Sequence, residues 1–153
     1  MKLILESWRN FINEGCDSAP QIITVDFDDT MRMLTKFKSK DEDKPDTHAN
    51  EIVIEKIKQF KADGAKVYIV TSRKETQDNK LFIDDFLDEN IIDHDGIHLT
   101  DLDDKWYNIK VLGSDMHFDD DDEEFKAIKH HIEEFREDKQ NIKLMKVNYE
   151  TEQ

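Results

Sequence analysis

Gln21 to Thr30 reads QIITVDFDDT. The first half is a short apolar, β-branched run. The second half carries Asp26 and Asp28, spaced D-x-D, with Thr30 two positions further on. A strand buried on both faces of a parallel sheet has this composition, and open α/β sheets place their chemistry at the C-terminal ends of such strands. Side chains alternate along an extended chain, so Asp26 and Asp28 are expected to project the same way. Two carboxylates held together can take a hard cation such as Mg²⁺. One of them can attack phosphorus while the other moves protons.

The spacing alone says little in so acidic a chain. D-x-D recurs at Asp41 to Asp43, Asp93 to Asp95 and Asp101 to Asp103, but in polar stretches with no apolar strand before them. Only Asp26 and Asp28 follow a buried-strand pattern.

The chain has 153 residues, a length that suits one domain with a real core. Charged residues reach 39% against 37% hydrophobic, yet the apolar residues are clustered enough to fold. A net charge of −15 argues against broad binding to a nucleic-acid backbone or to an anionic membrane, and suits a protein that carries divalent cations. Cys16 stands alone, so no internal disulfide forms and a cytoplasmic setting is expected. The histidines show no finger-like spacing with Cys16, which argues against zinc. No apolar run approaches transmembrane length, and the N-terminus lacks the features of a secretory signal.

Outward from Gln21, strands and helices alternate. Helical spacing of apolar residues marks 49–62 (Ile52, Ile54, Ile57, Phe60), 75–89 (Leu81, Phe82, Phe86, Leu87), 105–112 and 123–137 (Phe125, Ile128, Ile132, Phe135). Strands are expected at 21–25, 66–70, 96–99, 115–118 and 141–147, with 31–48 irregular. No strand pair carries a tight hairpin signal. The pattern therefore predicts βαβ units: a three-layer αβα sandwich around a five-stranded parallel sheet.

Four signals then fall in order near strand ends: Asp26-x-Asp28-x-Thr30, then Thr71-Ser72-Arg73, then Lys105, then Asp119-Asp120. This ordered set resembles the haloacid dehalogenase (HAD) superfamily of phosphotransferases over about residues 21–147. The resemblance implies a Rossmann-like fold and a Mg²⁺-dependent phosphatase. It makes Asp26 the nucleophile that forms an aspartyl-phosphate and Asp28 the general acid/base. Thr71 becomes the hydroxyl on a phosphoryl oxygen, and Lys105 the neutralising cation, with Lys110 as its rival. Asp26, Asp28, Asp119 and Asp120 become the metal group, with Asp121, Asp122 or Glu123 as alternatives to Asp120. Thr30 and Ser72 are expected to contact substrate. So are Arg32, Lys36 and Lys38, which belong to a basic stretch, 31–40, that contains no acid. That stretch reads either as a cationic flap that draws in an anion or as a solvated hairpin.

Neither inter-motif gap has room for a folded cap, so the chain resembles capless members of the family. Those members often act on large substrates or close the site with a partner subunit, which leaves a homo-oligomer open. The expected substrate is a phosphorylated small molecule, a nucleotide for example, or a nucleic-acid end. A catalytically silent HAD-fold binding or virion protein is the alternative, and a plain acidic cation-binding domain is a third reading. Residues 1–14 form an amphipathic segment preceding the catalytic domain at 15–153. They resemble the leaders of some tailed-phage proteins packaged into the prohead, with Ile12-Asn13-Glu14 before Gly15 as the cleavage pattern. In that case the setting is the host cytoplasm or the virion. An ordinary helix packed on the sheet is the competing reading.

Overall fold

The computed structural model of the chain describes residues 20–34, 47–134 and 142–147. The expectations for residues 1–14 and for Lys36 and Lys38 lie outside them. Among the described residues there are seven strands and four helices, which alternate from the third strand onward. The strands are β1 (Ile22–Val25), β2 (Arg32–Leu34), β3 (Thr47–Ala49), β4 (Lys66–Thr71), β5 (Gly96–Leu99), β6 (Met116–Asp119) and β7 (Lys143–Lys146). The helices are α1 (Glu51–Ala62), α2 (Gln77–Glu89), α3 (Trp106–Leu112) and α4 (Asp122–Glu134).

Five strands form one parallel sheet in the order β5-β4-β1-β6-β7, as the alternation predicts. The chain steps outward from β1 through β4 to β5, then crosses back to β6 and on to β7. With right-handed crossovers, this puts the first two helices on one face and the last two on the other. The core divides accordingly. Ile23, Val25, Val67 and Ile69 pack with Val53, Ile57 and Phe60 of α1 and Ile83 and Leu87 of α2. Trp106 and Ile109 of α3 pack with Ile128 of α4. Each of these large side chains contributes about 1.5–3 kcal/mol on full burial. The strand order reverses at β1, and the crevice beyond the β1 and β6 ends is where such sheets bind ligands.

Two sequence expectations need correction. The stretch 31–48 is not irregular throughout, because β2 and β3 pair antiparallel, Arg32 with Ala49 and Leu34 with Thr47. Met31 and Met33 are buried on either side of outward Arg32, a period-2 pattern that seats this two-stranded ribbon on the core. Asn50 then joins ribbon to helix: its N–H donates to Met31 O (2.7 Å) while its side chain caps α1 at Val53 N–H. In α2 the apolar face is turned from the expected one. Ile83 and Leu87 are buried, whereas Leu81 and Phe82 are 50% and 43% exposed. Thr76, not Glu75, sets the start of that helix by capping Asn79 N–H, and the buried face follows from that phase.

Candidate active site

Thr24 and Val25 of β1 pair with His117 and Phe118 of β6, and Asp26 N–H donates to Phe118 O (2.9 Å). Asp26 and Asp119 therefore leave the sheet side by side. Immediately after Asp26 the chain turns tightly. Phe27 O accepts from the N–H groups of Met31 (3.0 Å) and Arg32 (3.1 Å). Asp29 adopts φ +60°, a left-handed conformation that aspartate tolerates better than most residues. The turn folds Thr30 back so that its Oγ1 donates to Asp26 Oδ2 (3.1 Å) and, at 3.4 Å, to Asp120 Oδ1.

Lys105 reaches this point from the residue before α3. Its side chain is 3% exposed, and its Nζ donates to Asp26 Oδ1 (2.8 Å) and Asp119 Oδ2 (2.7 Å). Burial disfavours its charge, but the two carboxylates more than offset this and hold the ammonium above the ordinary lysine value. Burial pushes the Asp26 carboxyl well up. Lys105 opposes that shift, while Asp119 and Asp120 add to it. Asp119 is held below the usual carboxylate range: burial works against its charge, yet His117 and Lys105 outweigh it. Burial and the neighbouring Asp119 push Asp120 up to about 6.

Asp26, Asp119 and Asp120 each offer an oxygen within 4.8 Å of the others. Such an all-oxygen carboxylate set suits a hard cation such as Mg²⁺ rather than zinc, and the wider cleft has the matching charge. Its volume is about 440 Å³, and its lining holds seven aspartates (Asp26, Asp28, Asp29 and Asp119 to Asp122) with Lys105 as the lining cation. A phosphate dianion would be repelled from it unless a divalent cation were added.

Lys105 occupies the site, whereas Lys110 lines a separate surface cleft with Trp106, Tyr107 and His131. Ser72 is in the cleft wall. Thr71 is buried behind it, with Oγ1 accepting from Arg73 N–H at 3.4 Å. Asp28 lines the cleft but stands outside the three-carboxylate group. Arg73 grips its carboxylate from Nε (2.7 Å) and Nη2 (2.9 Å), and Arg32 adds a bond from Nη1 (3.2 Å). The alternatives to Asp120 have local work. Asp121 Oδ1 accepts from Glu123 N–H at the start of α4 (2.9 Å), Asp122 pairs with Lys146, and Glu123 pairs with Lys126.

Three residues of the site carried no sequence assignment. Arg73 was legible as the first cation after a strand-end Thr-Ser. Phe82, read as core, instead lies beneath both guanidinium groups, 5.0 Å from Arg32 and 4.8 Å from Arg73. His117 was signalled by standing two residues before Asp119, hence on the same face of the strand. No helix among the described residues is long and apolar enough to cross a membrane.

No protein-family model and no curated protein matches the chain. Among solved structures, it is similar to a chain in the structure of the Pnkp1/Rnl/Hen1 RNA repair complex, with a TM-score of 0.61 and 19% identity over 85% of this chain and 43% of that one. A chain in a second structure of the Pnkp1/Rnl/Hen1 complex gives a TM-score of 0.59 and 18% identity over 86% of this chain and 47% of that one. This protein thus spans less than half the length of those chains. At such identity the likeness is one of fold.

Proposed function

We propose that the protein is a Mg²⁺-dependent phosphomonoester hydrolase of the HAD type, acting through an aspartyl-phosphate on Asp26. The observation that carries this reading is the buried Asp26 carboxylate at the end of β1, fixed by Lys105 and Thr30 beside Asp119 and Asp120. Asp26, Asp119 and Asp120 would hold the cation. When bound, it supplies the positive charge that keeps Asp26 ionised and lets a phosphate dianion approach.

The remaining work belongs to the chain. An Asp26 oxygen attacks phosphorus and the ester P–O bond breaks, with Asp28 giving its proton to the leaving oxygen. Water then attacks the aspartyl-phosphate, its proton passes to Asp28, and Asp26 and inorganic phosphate are released. Arg73 fixes the position of Asp28 through its two-pronged grip. Lys105 stabilises the charge on Asp26 and on the phosphoryl oxygens. Ser72 in the cleft wall donates to one of those oxygens, with Thr71 shaping the turn behind it.

The substrate we propose is a nucleotide or the terminal phosphate of a nucleic acid. Two features support it: the fold likeness to chains of an RNA repair complex, and the cationic pair Arg32 and Arg73 bound to the cleft-lining Asp28. The deciding experiment is a panel of phosphate esters, including nucleotides and phosphorylated oligonucleotides, assayed with Mg²⁺, with EDTA and with Zn²⁺. Turnover is expected with Mg²⁺ alone. Asp26→Asn, nearly isosteric but unable to attack, should lower it by at least about a thousandfold, on the order of 4 kcal/mol, with the fold intact. Substantial Mg²⁺-dependent activity in Asp26→Asn would remove Asp26 as nucleophile. A wild-type chain inert on the whole panel would favour a silent binding protein.

A further inference from the structure

Beneath the acidic cluster lies a layer of buried polar side chains that the reaction does not use. Thr24, Ser114 and His117 are all but inaccessible in an otherwise apolar core. Thr24 and His117 are register partners on β1 and β6, and each stands two residues before a carboxylate of the site, Asp26 and Asp119. Alternation along a strand therefore stacks this layer directly under the acids.

The hydrogen bonds from Thr24 through His117 to Asp119 can run in one direction. Asp119 Oδ2 lies 3.0 Å from His117 Nε2. A carboxylate only accepts, so Nε2 carries the proton. With the Nε2 proton directed at Asp119, Nδ1 of the Nε2–H tautomer is an acceptor, and the Thr24 hydroxyl 2.9 Å away is placed to donate to it. The Thr24 oxygen in turn lies 2.9 Å from the hydroxyl of Ser114, which also reaches Met116 O (2.9 Å). The pair Thr24–His117 thus ends in a donor aimed at Asp119.

Asp119 is the most constrained carboxylate of the three. Its Oδ1 accepts from the N–H groups of Asp120 (2.9 Å) and Asp121 (3.1 Å), and its Oδ2 accepts from Lys105 and His117. The Lys105 bond is shared with Asp26 and faces the cleft, where an arriving phosphate competes for the ammonium. The His117 bond comes from below, where neither substrate nor solvent reaches.

Resting on the Mg²⁺ reading above, we propose that His117 is a positioning residue. Its Nε2–H locks the Asp119 carboxylate in the orientation that binds the cation, and Thr24 selects the tautomer that makes this possible. Partners behind a metal-binding carboxylate typically govern affinity by 10- to 100-fold, roughly. A merely well-satisfied core histidine would instead affect stability and leave cation binding alone.

The test is calorimetric titration of the full chain with MgCl₂, without substrate, alongside the ¹⁵N spectrum of the His117 ring. Wild type should bind Mg²⁺ and show the Nε2–H tautomer. His117→Leu should weaken binding by about 10- to 100-fold, while His117→Gln, whose amide can reach the Nε2 position, should stay within about threefold. Thr24→Val, which leaves Nδ1 without its donor, should fall between them. Should His117→Leu not fold, the double replacement Thr24→Val/His117→Leu removes both ends of the bond, leaves neither orphaned, and carries the same expectation as the single variant. Wild-type affinity in His117→Leu or in the double variant, or an Nδ1–H tautomer in the wild type, would overturn the proposal while the cation site stands. A wild-type chain that binds no Mg²⁺ would overturn both.

Discussion

The floor and the rim of the cleft hold their carboxylates in different ways, although one D-x-D sequence supplies both. On the floor, Asp26 and Asp119 are buried against a buried ammonium, and every bond among them is 2.7–3.1 Å. On the rim, Asp28 is 34% exposed and shared between two arginines that lie over the half-open ring of Phe82. Burial removes the water that would screen the floor charges, so each feels its neighbours strongly. The rim charges sit in a medium closer to water and feel each other weakly. Changes on the floor should therefore act on folding, cation binding and chemistry together. On the rim, changes at Asp28 or Arg73 should act on proton transfer with little cost to folding, and changes at Arg32 should act on substrate capture and depend on salt.

Lys105→Met gives the sharpest contrast. It strips the cation from two buried carboxylates and leaves both uncompensated. Breaking one side of such a pair costs about 3–5 kcal/mol. Urea denaturation without Mg²⁺ should show a loss of that order, and Mg²⁺ should restore part of it by supplying charge to the same oxygens. Turnover should fall by orders of magnitude. A loss below about 1 kcal/mol would mean that the floor is no less screened than the rim, and the contrast would collapse.

Asp120 lies between the two regions and reports on pH. Burial and Asp119 push its folded pKa up to about 6, above the ordinary aspartate value, so the folded state binds this proton more tightly than the unfolded chain does. The stabilisation from the proton is complete below about pH 4 and is lost as the pH rises through about 6. Asp26, raised as well, contributes with the same sign. Asp119, depressed, contributes stability that is present above about pH 4 and lost only as the pH falls below it. If Asp120 holds Mg²⁺ as proposed, the cation needs its ionised form, and the rise in melting temperature that Mg²⁺ causes should grow between about pH 4 and 6. Asp120→Asn should flatten both curves. A Mg²⁺-induced rise that is equal at pH 5 and pH 7.5 would remove Asp120 from the cation site.

The sheet was legible because the strand runs at Gln21, Lys66 and Asp115 are apolar and each is followed by a helical period. The meeting of Asp26, Lys105, Asp119 and Asp120 was legible because they stand at or near the ends of those runs. Other features are set by contacts that no local window contains. The ribbon strands β2 and β3 show only as alternation at Met31-Arg32-Met33, with a partner more than a dozen residues away. Phe82 reads as core by spacing, but cation–π contact with two arginines holds it at the surface. His117 looks like any strand residue until its register with Thr24 is known. Asp28 was placed with the metal group because alternation puts it on the side of Asp26. The tight turn after Phe27 ends that alternation, and the Arg73 grip takes the carboxylate elsewhere.

The smallest effect is expected at Arg32. Its guanidinium already pairs with Asp28 at 3.2 Å and lies over Phe82, so much of its charge is spent within the rim. What remains can steer an approaching polyanion but is screened beyond about 10 Å at 0.1 M salt. Arg32→Gln should lower kcat/KM for a phosphorylated oligonucleotide by only a few-fold, roughly threefold, through KM and not kcat. The deficit should fade as salt is raised. p-Nitrophenyl phosphate, with no further charges along its tail, should scarcely respond. A loss of a hundredfold or more on both substrates, unmoved by salt, would mean that Arg32 reaches the phosphoryl group itself. Arg32 would then belong to the reacting centre with Asp28 and Arg73, and the line between screened capture outside and unscreened chemistry inside would have to be redrawn to enclose it.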